Sequence, residues 1–209
     1  MTDQSPPVIS PPEPIENPSS DVWGVVLAAG TSTRFGDENK LLEPVSGQPI
    51  VRRAAETLTE AALAGVVVVL GHEAGAVHAA VEGLATDVTE NGAYETGQST
   101  SVRRGVEYAT RRGADAVLVA LGDMPYVSLN TVESLLAAHE ANVGTAIAAA
   151  HGGKRGNPVL FDSCYFDSLT TLTGDIGGRK IFRESPGAVF VETGDHGVHR
   201  DIDTPEEIR

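Results

Sequence analysis

Val22-Trp23-Gly24-Val25-Val26-Leu27-Ala28 runs without a break into Ala29-Gly30-Thr31-Ser32-Thr33-Arg34-Phe35-Gly36. Apolar and small residues in an unbroken row fit a strand covered on both faces, since a half-exposed strand would alternate. The loop that follows is polar and carries two glycines, and the stretch from Pro49 to Leu63 then reads as an amphipathic helix. This unit recurs downstream. Val66 to Leu70 is a second buried strand, His72 to Leu84 is helical and Thr86 to Thr89 is a short strand. Ser99 to Arg112 is helical, Asp115 to Leu121 is again a buried strand, Ser128 to Glu140 is helical, and Thr145 to Ala150 is extended. Such alternation predicts an α/β fold: a single three-layer α/β/α sandwich with a mostly parallel sheet and helices on both faces. Beyond His151 the rhythm loosens into Gly-rich turns, with a short helix near Cys164 to Leu172 and a strand at Ala188 to Glu192.

Upstream of the first strand, residues 1–20 hold Pro6, Pro7, Pro11, Pro12, Pro14 and Pro18 among Ser, Asp and Glu. Such a segment buries too little surface to offset its ordering entropy and is expected to be a disordered tail, leaving 21–209 as the folded domain. A chain of 209 residues with 41% hydrophobic and 21% charged content suits one soluble domain. No apolar run approaches the roughly 18 residues that span a bilayer, and no signal peptide is legible. Cys164 is the lone cysteine, which excludes an internal disulfide and fits a cytoplasmic protein. The formal charge of −14 argues against nucleic acid and anionic membranes as partners. An acidic protein that binds polyphosphate must concentrate cations locally, so the scarce lysines, Lys40, Lys154 and Lys180, are informative.

In open parallel sheets ligands bind beyond the carboxyl ends of the strands. The loop after Ala28 offers small residues, Gly30 and Gly36 for an inward nest of N–H groups, and Arg34 and Lys40 for phosphate oxygens. It is neither a P-loop nor a dinucleotide fingerprint. Leu121-Gly122-Asp123-Met124-Pro125 sets a carboxylate directly after a buried strand, where it could hold Mg²⁺ or merely cap a turn. Asn91 to Ser101 is polar and small-rich and could read a base and ribose, or be an ordinary loop and helix cap. The histidines are scattered, and His196 and His199 lack the further ligands a zinc site needs.

Taken together, L-A-A-G-x-x-x-R-F-G…K-L-L, N-x-x-x-x-x-G-Q-S-x-S-V, L-G-D-M-P, R-G-N-P-V-L-F, G-D-x-G-G-R and D-I-D-T-P-E resemble, in order, the MobA-like nucleotidyltransferases, in the branch containing molybdenum cofactor cytidylyltransferase. The resemblance runs from about Val22 to Glu207. One departure is Asp37-Glu38-Asn39, which makes the segment between Gly36 and Lys40 a residue longer than in many relatives. The resemblance implies a nucleotide-diphospho-sugar-transferase-like fold and a nucleotidyltransferase domain over 21–209. It implies catalytic roles for Arg34, Lys40 and Asp123, and nucleotide contacts from Leu27, Ala28, Ala29, Gly30, Arg34, Lys40, Gly97, Ser99 and Ser101. It places Lys154, Asn157 and Arg179 on the acceptor side, and Mg²⁺ on Asp123, Asp201 and Asp203. Asp201 and Asp203 would fall on one side of an extended strand, although Asp203 could equally cap the turn before Pro205.

The activity so implied is transfer of CMP from CTP to molybdopterin, with a recipient molybdoenzyme as a further partner. Ala29 points to CTP, because guanylyl-transferring relatives usually carry a second glycine there. A GTP-dependent guanylyltransferase, a sugar-phosphate nucleotidyltransferase and a non-catalytic nucleotide-binding regulator are the alternatives.

Overall fold

The computed structural model describes residues 5–13, 21–32, 35–36, 38–174 and 178–208. The unbroken apolar run is strand β2 (Val22–Ala28), buried at every position. Before it lies β1 (Val8–Ile9). After it come a small hairpin of β3 (Pro44–Val45) and β4 (Gln48–Pro49), helix α1 (Ile50–Thr59), β5 (Gly65–Leu70), α2 (Ala74–Val81) and β6 (Asp87–Glu90). Then follow α3 (Gln98–Arg111), β7 (Ala116–Leu121), α4 (Leu129–Glu140), β8 (Ala146–His151), β9 (Lys154–Asp162), α5 (Phe166–Thr170), α6 (Arg179–Glu184) and β10 (Ala188–Glu192). The main sheet has the order β1-β10-β8-β9-β7-β2-β5-β6. Only β9 runs antiparallel to its neighbours, β7 and β8.

Alternation along β2 sorts its side chains into two cores. Val26 and Ala28 join Ile50, Val51, Ala55 and Leu58 of α1 and the apolar faces of α2 and α4. Val25 and Leu27 join Val102, Val106 and Ala109 of α3, backed by α5 and α6. Each fully buried Val, Leu or Ile contributes about 1.5–3 kcal/mol, which outweighs a weak local propensity. Gly105 illustrates the balance. A helix-interior glycine costs about 1 kcal/mol relative to alanine, yet a Cβ there would stand 2.2 Å from Val25 Cγ1. The missing methyl group lets α3 lie close on the sheet.

The rhythm read from the sequence is present, with ends displaced by a few residues. Two parts differ. Within the Pro-rich tail, Val8 and Ile9 pair in parallel with Phe190 and Val191, and Phe190 N–H donates to the Pro7 carbonyl at 2.9 Å. The expectation of a wholly disordered tail is therefore corrected at that point: the apolar Val-Ile pair meets an otherwise open sheet edge. The second difference is β9, nine residues long, where the sequence suggested Gly-rich turns. Pro158 and Asn157 fall in a register irregularity, between the pairs Ala148–Val159 and Ala150–Arg155. A bulge is where a strand tolerates proline, and it masks the strand pattern.

Candidate active site

The loops at the carboxyl ends of β2, β6 and β7 gather round one cleft. After β2 the chain turns through Ser32, which sits at φ 53°, and reaches a 3-10 turn at Lys40–Leu42. Asn39 caps that turn, its Oδ1 accepting from Leu41 N–H at 3.1 Å. The longer Gly36–Lys40 segment thus ends in a cap that aims Lys40 inward. Lys40 Nζ donates to Asp123 Oδ2 at 2.7 Å and to Asp203 Oδ1 at 2.8 Å. Ile202 N–H donates to the Asp123 carbonyl at 3.0 Å, which lays the Asp201–Asp203 segment beside the β7 loop. Residues 83 and 163 positions from Lys40 therefore meet on one ammonium group.

Burial alone would lower the Lys40 pKa, but the Asp123 and Asp203 carboxylates outweigh it and hold the ammonium above its ordinary value. At Asp123 burial pushes the carboxyl up more than Lys40 pulls it down, and the charge of Asp201 adds to the rise. Asp123 Oδ1 is buried with no hydrogen-bond partner among the described residues. An orphaned carboxylate oxygen beside a second carboxylate suits a hard divalent cation, and Mg²⁺ commonly takes only one or two protein carboxylates, completing its shell with water and substrate phosphates. Asp123 and Asp203 fit that demand. Among the described residues no group of three or more His, Cys, Asp or Glu is arranged to hold a metal. Asp201 is exposed and reaches Asp123 through its charge.

Three cavities adjoin. The central one, about 370 Å³, is bordered by Leu27, Ala29, Gly30, Lys40, Gly97, Gln98, Ser101 and Asp123, among others. A smaller one, about 220 Å³, shares Gly30, Lys40 and Asp123 with it and adds Phe35 and Asp203. A third, about 290 Å³, shares Leu27, Gln98 and Leu121 with the central cavity and reaches Arg155, Asn157 and Arg179. The rim after β6 is fixed by Asn91, whose Nδ2 donates to Thr100 Oγ1 and Ser101 Oγ at 2.9 Å each and whose Oδ1 accepts from Ala93 N–H.

A family model described as the MobA-like NTP transferase domain matches residues 24–189, most of the chain. The chain belongs to the MobA-like NTP transferase family. It is 33% identical over 196 residues to nicotine blue oxidoreductase of Paenarthrobacter nicotinovorans, covering 90% of this chain and 94% of the relative. It is 34% identical over 200 residues to the purine catabolism protein PucB of Bacillus subtilis, covering 88% and 92%. Among solved structures, Rv0371c of Mycobacterium tuberculosis superposes with a TM-score of 0.77 at 27% identity, covering 90% of this chain and 95% of that one. The same mycobacterial protein has been solved in complex with manganese, and that structure gives a TM-score of 0.75 at 26% identity, covering 90% and 96%.

Against the family pattern, the sequence-derived residues divide. Lys40, Asp123 and Asp203 converge, and Leu27, Ala29, Gly30, Gly97 and Ser101 border the central cavity. Asn157 and Arg179 border the third cavity. Ala28 borders none of the three cavities: strand alternation turns its side chain into the α1-side core. Ser99 is also buried, at 0% exposure, because Gln98 and Ser101 share one helix face and Ser99 lies a hundred degrees or so away on it. Lys154 is exposed at the start of β9 and borders none of the three cavities. Arg34 lies outside the described residues.

Sequence reading missed Arg155, which points into the third cavity where its neighbour Lys154 does not; strand alternation could have separated the two had β9 been recognised. It also missed Gln98, on the wall between two cavities, and Asp195. The Asp195 carboxylate accepts from Ser128 N–H and Thr131 Oγ1 at 2.8 Å each and from Gly197 N–H at 2.7 Å. It ties the segment leading to Asp201–Asp203 to the start of α4, just after the Asp123 loop. His196 and His199 gather with His151, at ring-centroid distances of 4.0 and 6.3 Å from it. His199 Nε2 lies 3.1 and 3.2 Å from the Lys154 and Arg155 carbonyls, which steadies the β8–β9 turn.

Proposed function

We propose that this protein moves CMP from CTP onto the terminal phosphate of molybdopterin, with Mg²⁺, and releases pyrophosphate. The observation that carries the reading is the meeting of Lys40, Asp123 and Asp203 within 2.8 Å contacts beside the glycine-bearing loop after β2. The central cavity takes the nucleotide, with Ala29 and Gly30 against it and the Gly97–Ser101 rim about base and ribose. Lys40 faces the triphosphate. Arg34, by its position in the family motif, does the same.

Asp123 and Asp203 would hold the divalent ion, which when bound neutralises phosphate charge as it builds on the leaving group. An oxygen of the acceptor phosphate forms a bond to the α-phosphorus, the bond from that phosphorus to the β-phosphate bridge oxygen breaks, and pyrophosphate leaves with the electron pair. A phosphate monoester has its second pKa at about 6 and is mostly dianionic near neutral pH, so no side chain need take a proton from it. The residues therefore act by positioning and by charge: Lys40 holds the polyphosphate in line, and the loop N–H groups fix the α-phosphate.

Ala29 supports CTP over GTP. Ala29 borders the cavity, and its methyl group packs against Gly71, where a Cβ would stand 2.6 Å from Ala29 Cβ. One methyl-sized difference discriminates by about 1–3 kcal/mol, so a preference of roughly tenfold or more for CTP is expected. The name of one relative sets a second reading, oxidoreduction. Incubation with molybdopterin and each nucleoside triphosphate in turn, with pyrophosphate as the readout, tests transfer and the choice of nucleotide. Pyrophosphate from CTP supports transfer, and none from any nucleotide would remove it.

A further inference from the structure

Strand β10 reads Ala188-Val189-Phe190-Val191-Glu192, five residues of high strand propensity with one charge and no proline. One of its edges pairs with β8 along the whole strand. The other edge meets only β1, through Val8–Phe190 and Ile9–Val191. Left open, an edge of this composition is a template for another chain, because its N–H and C=O groups point outward unpaired. The tail covers it with few contacts. Phe190 N–H donates to the Pro7 carbonyl at 2.9 Å, and the parallel register sets Ile9 N–H toward the Phe190 carbonyl. Ile9 packs on the α1-side core, whereas Val8 is 49% exposed. A segment held by so little buried surface is among the first parts of a fold to open.

The sequence of the tail suits closing an edge rather than continuing it. Pro6, Pro7, Pro11 and Pro12 flank the Val-Ile pair and carry no N–H, so β1 offers a further strand few donors on its outer side. The opposite edge of the sheet, β6, is managed by charge instead: it begins with Asp87 and ends with Glu90, and Arg112 pairs with Asp87. Edge protection at β10 thus depends on the tail.

We propose that the Val8–Ile9 strand is an intramolecular guard, and that its release opens β10 to pairing with β10 of a second copy of this chain. A second copy fits because two identical edges related by a twofold axis each donate and accept along the same short run. Phe190 N–H then exchanges the Pro7 carbonyl for a carbonyl of the other copy. Phe190 also stacks on Phe182, with ring centroids 5.6 Å apart and planes 7° from parallel, so β10 keeps an anchor when the tail leaves. The guard is independent of the transfer reading above.

The full chain carrying Ile9→Pro tests it, because proline permits the extended backbone and removes the Ile9 N–H. Sedimentation velocity should show a species heavier than the wild-type protein, growing with protein concentration. In the dilute variant the Phe190 amide should exchange about tenfold or more faster than in wild type, and regain protection as the heavier species forms. The amides of Val25 and Val119, in the central strands, should stay protected throughout and report an intact fold. Ile9→Val, which keeps the N–H, and Val8→Lys, which alters only an exposed side chain, should sediment and exchange like wild type. A folded Ile9→Pro protein that exposes the Phe190 amide yet keeps the wild-type mass at every concentration would overturn the proposal. So would an unchanged Phe190 amide in that variant, or a heavier species in which Phe190 stays unprotected.

Discussion

Lys40 and Arg155 both stand at the carboxyl edge of the parallel strands, yet they are charged on opposite plans. Lys40 lies between two carboxylates, and its ammonium is stabilised within the fold. Arg155 faces a second guanidinium, and burial and repulsion both work against its charge. The lesson is that positive charge in a site can be structural and functional together, as at Lys40, or held in readiness for a ligand, as at Arg155. Removing the two charges should therefore have different, even opposite, consequences for stability.

The sharpest way to break this comparison is Asp123→Ala, which removes the group the polyphosphate side is built round. Turnover should fall about 10²–10³-fold, a loss typical of deleting one preorganised electrostatic partner. Near-normal pyrophosphate release would show that the Lys40 cluster is only structural. Next in size is the stability contrast itself. Lys40→Met removes the ammonium group that both Asp123 and Asp203 bond and should destabilise by about 2–3 kcal/mol, less than a fully buried pair because both carboxylates keep some exposure. Arg155→Met relieves repulsion while losing the stacking on Phe182, and should leave stability within about 1 kcal/mol or raise it. Urea midpoints at unchanged slope read both; equal losses in the two variants would end the distinction.

A third prediction concerns the tie that brings the Asp203 segment to the site. At Asp195 burial acts to raise the carboxyl pKa, but bonds from Ser128, Thr131 and Gly197 more than offset it and hold it below the ordinary value. A depressed folded pKa gives stability that is complete above the unfolded value, about 3.9, and is lost as pH falls through the folded one. Asp195→Asn should cost about 1–2 kcal/mol at neutral pH and flatten the acid limb of a stability–pH profile below about pH 4. A wild-type acid limb in that variant would remove Asp195 from the account. The smallest effect is expected at Lys154, which is exposed and borders none of the three cavities: Lys154→Ala should change the acceptor KM by less than about twofold.

What the sequence made legible follows its own periodicities. The doubly covered strands from Val22 to Leu121 could be read because both faces are apolar, and they place the loops that carry Lys40 and Asp123. The β8–β9 turn and the bulged strand were hidden by Gly156 and Pro158, residues that deny a strand its usual signature. With that strand unread, the sequence does not tell which of Lys154 and Arg155 faces the cavity. The inward turn of Ser99 was hidden for a related reason, since a motif of small polar residues says nothing of which ones the helix buries. Asp195 makes three contacts distributed over two segments of the chain, and no local pattern announces it.

The antiparallel course of β9 has a consequence for how substrates can change. The wall carrying Arg155 and Asn157 enters the sheet from a tight turn at Gly152–Gly153, whereas the polyphosphate side is written in the loops of the parallel half. A swap of a few residues in that turn and bulge could thus retool the choice of acceptor while the donor machinery stays as it is, so that one scaffold is open to modular divergence.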